Sequence, residues 1–203
     1  MNKPTLSKMY FITFEGIDGA GKTLQARMLR DRLVMEGYEV WLTEEPTDGV
    51  IGSLLRDFID GKLNLREETV ALLFAADRLE HLKDVEEALL YRRYVISDRY
   101  LLSSLAYQGS KLPIEWVKEI NKFARLPDVV ILLDLPPEQA YSRTSKKGAF
   151  DRDLDRLSKI RQLYLELSQE PPWRDVTVKI DASRRPEEVH SDVMKALRDK
   201  GLV

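Results

Sequence analysis

The sequence contains no cysteine and only two histidines, His81 and His190. The first absence excludes disulfides and cysteine-based zinc centres. Two histidines so far apart in the chain argue against a histidine-held metal site. Charge of one sign is also missing, since 32 Lys and Arg stand against 34 Asp and Glu, for a formal net charge of -2. A dedicated nucleic-acid binder normally carries a marked basic excess, so no nucleic-acid partner is expected. A small phosphorylated ligand needs only a local group of arginines and is not excluded. No apolar run approaches the roughly 20 residues of a membrane-spanning helix; the polar stretch MNKPTLSK leads into a short run that ends at Phe14, before Glu15. Neither a signal peptide nor a membrane span fits, and the expectation is a soluble, cytoplasmic protein. Repeats and low-complexity segments are absent as well. Dense charge without cysteine is compatible with a thermophilic source.

What the chain has is alternation. Its 203 residues suit one compact domain, 1–203, with a small additional segment. Five short apolar runs rich in Val, Ile and aromatics read as buried strands: Tyr10–Phe14, Val40–Thr43, Tyr94–Ser97, Val129–Leu133 and Val176–Ile180. Amphipathic segments of helical length separate them. This predicts an α/β fold, a five-stranded parallel sheet with helices on both faces. Ligands in such folds lie beyond the carboxyl ends of the strands. Glu15, Glu44–Glu45, Asp98, Asp134 and Asp181 each follow a run, so acidic residues collect on that edge. One long polar, basic interruption, RTSKKGAFDRDLDR (Arg143 to Arg156), reads as a solvated loop when taken alone.

The stretch FITFEGIDGAGKT fills every fixed position of G-x-x-x-x-G-K-[ST] through Gly16, Gly21, Lys22 and Thr23. The loop residues Gly16, Ile17, Asp18, Gly19, Ala20 and Gly21 can turn backbone N–H groups onto phosphate oxygens, and the helix that follows adds its positive N-terminus. Lys22 can reach the β and γ phosphates of a nucleotide, and Thr23 can ligate Mg2+. A guanine-reading Asn-Lys-x-Asp is missing, because Asn121–Lys122–Phe123–Ala124 lacks the aspartate. A motor-type ATPase usually needs far more chain. A small kinase remains, and it requires an acceptor pocket.

Two stretches offer one. In SDRYLLSSLAYQG, Asp98 can hold Mg2+ through water and Arg99 can clamp a phosphoryl group. Ser104, Tyr107 and Gln108 follow at i, i+3 and i+4 on one helix face. In LLFAADR, Phe74 and Arg78 are four residues apart, a flat ring beside a planar donor fork, suited to stacking on a base and bonding its edge. Leu72, Ala76 and Leu79 are free to serve the core.

With these pieces in order, together with TEEPTDGVIGSLLR, PDVVILLDLPPEQAYSR, IRQLYLEL and IDAS, the chain resembles the thymidylate kinases over nearly its whole length. The resemblance implies a P-loop kinase fold and transfer of the γ-phosphoryl group of ATP to dTMP with Mg2+, by an enzyme that is usually a homodimer. Phe74 would stack on thymine and Arg78 bond its edge. Arg99 and Arg56 would bind the dTMP phosphate. Ser104, Tyr107, Gln108 and Tyr164 would surround the sugar and base, and Asp18 would contact the 3′-hydroxyl. Glu45–Pro46 would lie in the dTMP site and, with Asp98, organise the Mg2+ side. The loop at Asp181–Ser183 would approach the adenine of ATP, with Ser183 and Arg143 among the ATP contacts.

Two departures resemble archaeal versions: Glu44 where many members have arginine, and TDGVIG after Pro46. Some members also carry an arginine in the phosphate loop at the place of Gly19. The expectation is therefore that a lid over 143–156 supplies the catalytic cation, from Arg143, Lys146, Lys147, Arg152 or Arg156. The remaining readings are a deoxynucleoside kinase, which would need a carboxylate base near a 5′-hydroxyl, and a nucleotide-binding regulatory module without transfer activity.

Overall fold

In the computed structural model each apolar run forms a strand, and all five strands close on the acidic residue that follows the run. The order is β1 (Tyr10–Glu15), α1 (Lys22–Met35), β2 (Val40–Glu44), α2 (Val50–Ile59), α3 (Glu67–Tyr91), β3 (Tyr94–Asp98), α4 (Leu101–Tyr107), α5 (Ile114–Ile120), β4 (Val129–Asp134), α6 (Pro137–Arg143), α7 (Phe150–Leu167), α8 (Trp173–Val176), β5 (Thr177–Asp181) and α9 (Pro186–Asp199). The structure describes residues 8–143 and 150–203, without the side chains of 150–153.

The expected boundaries stop one residue short on β1 to β4, because Glu15, Glu44, Asp98 and Asp134 still belong to the ladder. Glu44 pairs with Asp98, and Asp134 with Asp181. The fifth run is shifted by one: Val176 ends α8, so β5 begins at Thr177. All pairings are parallel, in the order β2-β3-β1-β4-β5. The chain leaves β1 for one side of the sheet and later passes it to reach β4. The loop after β1 thus lies where the strand order reverses, the usual ligand position in such sheets.

β1, β3 and β4 are almost wholly buried, as expected of central parallel strands covered on both faces. The core expectation for α3 fails at two places. Its buried stripe runs through Val70, Ala71, Ala75, Val85 and Leu89, whereas Leu72 is 50% and Leu79 38% exposed; both lie off that stripe. The basic interruption is also shorter than the sequence implied, since α7 already begins at Phe150. Ile160, Tyr164 and Leu167, spaced at four and three, give this helix its buried face. Among the described residues no helix is long and apolar enough to cross a membrane.

Candidate active site

The turn after β1 is shaped by what cannot fit beside it. A Cβ on Gly16 would lie 2.5 Å from the Leu133 carbonyl oxygen, and one on Gly19 2.6 Å from that of Ala140. Gly19 has φ +83°, a region that disfavours side chains on steric grounds. The loop therefore packs against β4 and α6, and α1 starts directly behind it at Lys22. The Lys22 ammonium is buried and donates to the Ile17 carbonyl at 2.9 Å. Burial, reinforced by the nearby Arg99 charge, pulls its pKa down to about 7. The next hydroxyl, Thr23 Oγ1, donates to Asp98 Oδ2. Asp98 Oδ1 is buried with no protein partner. A hydroxyl beside a carboxylate with an unused oxygen suits a hard divalent cation, so Thr23 and Asp98 fit the Mg2+ role expected of them.

Across the loop Arg99 and Asp18 form an ion pair. Arg99 directly follows β3 with φ +69°, the one positive φ outside glycine among the described residues. Its backbone remains tied down, its N–H donating to Phe14 O at 2.9 Å and its carbonyl accepting from Ser97 Oγ at 2.6 Å. This strained residue turns the guanidinium back over the phosphate loop. Tyr107 lies beneath it, 5.2 Å from guanidinium carbon to ring centroid, and the tyrosine oxygen accepts the Asp18 N–H at 3.0 Å. Burial pushes the Tyr107 hydroxyl up to about 12, so it stays a neutral hydrogen-bonding group. The Asp18 carboxyl is held below its usual range: burial opposes ionisation, but Arg99 and Lys22 together outweigh it.

These residues border a cavity of about 480 Å³ that reaches from Asp18 and Arg99 to Phe74 and Arg78. Its volume lies within the range of small-molecule sites. Glu45, Pro46, Ser104, Tyr107 and Gln108 also line it, so the structure brings together most of the residues picked for the acceptor. Three are placed differently. Arg56 does not line the cavity; it donates to Pro46 O at 2.9 Å and pairs with Asp48 at 3.1 Å. Tyr164 is 1% exposed and bonds Ser103 at 2.8 Å; it supports the wall from behind instead of covering the cavity. The Glu45 carboxylate is bound to Arg78 at 2.7 Å and to His81 at 3.0 Å, and only its backbone N–H meets Asp98, donating to the carbonyl at 3.1 Å.

The basic segment divides. Arg143 donates to the carbonyls of Ala182 and Ser183 at 3.1 and 3.4 Å, beside the turn in which Asp181 caps Ser183. Arg143 and Ser183, both picked for the ATP side, are therefore neighbours. Arg156, on α7, lines the same cavity of about 480 Å³. Lys146 and Lys147, and the side chain of Arg152, lie outside the described residues. A second cavity of about 600 Å³ opens beyond Asp98, between β2, α1 and α3.

Several residues beside the site receive no role from the sequence, although Glu15 is among the acidic residues expected on the ligand edge. Ser103, also on the cavity wall, donates to Glu15 Oε2 at 2.5 Å and receives an Arg99 N–H at 3.4 Å. Glu15 is completely buried, its Oε1 lacks a partner, and burial raises its pKa to about 7 despite Ser103 and Arg99. The available signal was a lone carboxylate closing an otherwise uncharged strand. Asp77 fastens the loop after Pro46 through the Thr47 N–H at 2.8 Å and hydroxyl at 2.7 Å. Nothing in the local pattern of LLFAADR distinguishes it from a surface aspartate.

The chain is similar to known proteins over most of its length. Residues 14–193 match a family model described as thymidylate kinase. A probable thymidylate kinase of Pyrococcus abyssi is 43% identical over 204 residues, covering 95% of this chain and 98% of its own. One from Methanocaldococcus jannaschii is 39% identical over 191 residues, with 93% and 96% covered. One from Caldivirga maquilingensis is 40% identical over 196 residues, with 94% of each covered.

Proposed function

The chain belongs to the thymidylate kinase family, and we infer that it transfers the γ-phosphoryl group of ATP to dTMP, giving ADP and dTDP. The observation that carries this reading is the shared wall formed by Asp18 and Arg99, with a phosphate loop on one side and a cavity of about 480 Å³ on the other. Two nucleotides can meet there end to end.

An oxygen of the acceptor phosphate attacks the γ phosphorus, and the bond to the β-phosphate oxygen breaks. Little covalent chemistry falls to the protein, so catalysis is positioning plus cations. Gly16, Ile17, Asp18, Gly19, Ala20 and Gly21 offer backbone amides to the ATP phosphates, and Lys22 follows the charge onto the γ group. Thr23 and Asp98 would hold Mg2+, which would neutralise charge on the phosphates. Arg99 holds the acceptor phosphate, with Arg56 in support through Pro46. Phe74 and Arg78 take the base; Ser104, Tyr107, Gln108 and Asp18 take the sugar and the remaining edge. Arg143 and Ser183 border the adenine. The cation that shields the migrating phosphoryl group comes from the 143–156 lid segment, and Arg156, already on the cavity wall, is the first choice among its residues.

Charged nucleotides do not diffuse across membranes, which fits action in the cytoplasm where they are made. A homodimer completes the reading. Val50 and Leu54 on α2 and Leu72 and Leu79 on α3 are exposed on two helices that pack together, and a partner subunit would cover them.

ADP release coupled to a chromogenic readout tests the whole. With Mg-ATP fixed, dTMP should drive turnover while thymidine and purine monophosphates do not. A protein that turns over thymidine but not dTMP is a nucleoside kinase, and one indifferent to every acceptor is no transferase. R156A should lower kcat at saturating substrates by about 10³-fold or more if it supplies the transition-state cation; a loss below tenfold would move that role to another residue of the segment.

A further inference from the structure

Asn121 opened the failed guanine motif at Asn121–Lys122, and the proposed reaction leaves it without a task. It directly follows α5, outside the cavity and 5% exposed. Its Nδ2 donates to Val117 O at 2.9 Å, and its Oδ1 accepts from Arg78 Nη1 at 2.5 Å. Arginine has only donors, and with the amide nitrogen committed to Val117 the amide has a single consistent orientation. Arg78 Nη2 is meanwhile claimed by Glu45 at 2.7 Å, Ser104 at 2.9 Å and Tyr100 O at 3.2 Å. Glu45 is itself steadied by His81, whose other nitrogen meets Thr43 Oγ1 at 2.8 Å. The guanidinium is thus pinned at both terminal nitrogens, Nη1 among the described residues by Asn121 alone.

We propose that Asn121 is a positioning residue for base selection. It fixes the plane of Arg78, which lines the cavity and whose Nε–H has no partner among the described residues, so that the N–H groups not taken by Asn121, Glu45, Ser104 and Tyr100 form one fixed array of donors. Such an array accepts a base whose edge carries a carbonyl and rejects one carrying an amine at the same place, because a donor would then face a donor. The inference rests on the reading that Arg78 contacts the edge of the acceptor base. A guanidinium free to rotate about its last bonds could turn aside and tolerate the amine.

The measurement is kcat/KM for dTMP, dUMP and dCMP in the parent, R78A, N121L and N121D. dUMP keeps the carbonyl and lacks only the methyl group, whereas dCMP replaces the carbonyl by an amine. In N121L, similar in size but without an acceptor, the dTMP:dCMP ratio should fall at least tenfold while dTMP:dUMP and the KM for ATP stay within twofold. N121D keeps an acceptor toward Arg78 and should hold the dTMP:dCMP ratio within about threefold of the parent. If R78A collapses the ratio but N121L lowers all three substrates equally, Asn121 is merely structural and the proposal is wrong. A loss of the ratio in N121D as large as in N121L also overturns it, since the acceptor would then not be what matters. An unchanged ratio in R78A overturns both this inference and the reading beneath it. Should N121L not fold, N121S, whose side chain is shorter, carries the same comparison.

Discussion

Replacing Glu15 by glutamine should change how stability depends on pH. Glu15 is fully buried at the end of β1, and only its Oε2 is bonded, by Ser103 at 2.5 Å and Tyr164 at 3.4 Å. Burial raises its pKa from 4.5 to about 7. At about 1.36 kcal/mol per tenfold change in proton affinity, ionising this carboxyl in the folded state costs about 3 kcal/mol more than in the unfolded chain. Between those two pKa values the folded protein keeps a proton that the unfolded chain has released. Stability attributable to Glu15 therefore falls as pH rises through this window, and the full cost is present above it. A glutamine does not titrate. The unfolding free energy of E15Q minus that of the parent should rise by about 3 kcal/mol between about pH 4.5 and about pH 8. A poorly bonded amide N–H at Oε1 shifts the whole curve but not its shape. Lys22, whose pKa is depressed to about 7, makes the opposite contribution above that pH in both proteins, so the subtraction removes most of it. Guanidinium denaturation at half-unit pH steps provides the curve. A flat difference would refute the reasoning, because Glu15 would then ionise as freely folded as unfolded.

Lys22 and Gly19 give two further expectations. A lysine whose pKa the protein holds near 7 should recover its charge beside polyphosphate. ATP binding at about pH 8 should then take up a fraction of a proton, visible as a calorimetric enthalpy that varies with the ionisation heat of the buffer. The K22M variant should lose that dependence; equal heats in all buffers for the parent would contradict the assignment. At Gly19, φ of +83° and a Cβ position 2.6 Å from Ala140 O leave no place for a side chain. G19A should lose about 1–3 kcal/mol of stability in a denaturant melt. G19R, which puts an arginine into the phosphate loop itself, should fail to rescue turnover in R156A, and a rescue there would show that the loop can accept the residue after all.

What the sequence made legible and what it hid follow from the range of the interactions. The phosphate loop is specified by backbone geometry within a few residues, so Gly16, Gly21, Lys22 and Thr23 announce it at fixed spacing. The strands announce themselves because central parallel strands must be apolar on both faces. Phe74 with Arg78, and Ser104 with Tyr107, could be paired because one helical turn sets their relation. Asn121 reaches Arg78 across 43 residues, and Tyr164 reaches Glu15 across 149; no local periodicity encodes such contacts. Exposure was misjudged at Leu72 and Leu79 for a related reason. Helical spacing groups residues on a face but does not say which face meets the core.

Arg99 joins the two kinds of information. In the sequence it is simply the arginine after an aspartate that closes a strand, and the resemblance assigned it a phosphate. The fold adds the reason that it can serve. Its φ of +69° is a conformation an arginine adopts at a cost on the order of 1–2 kcal/mol. That cost persists only because the surroundings over-determine the residue: Phe14 and Ser97 hold its backbone, while Asp18, Tyr107 and Ser103 hold its guanidinium. Ser103 in turn leans on buried Glu15. A glycine at position 99 would relieve the backbone and remove the charge together, so strain relief and loss of turnover should come from the same substitution. Asp18, a carboxylate inside a phosphate loop, is the other half of this device, since it gives Arg99 a partner at the wall between the loop and the cavity.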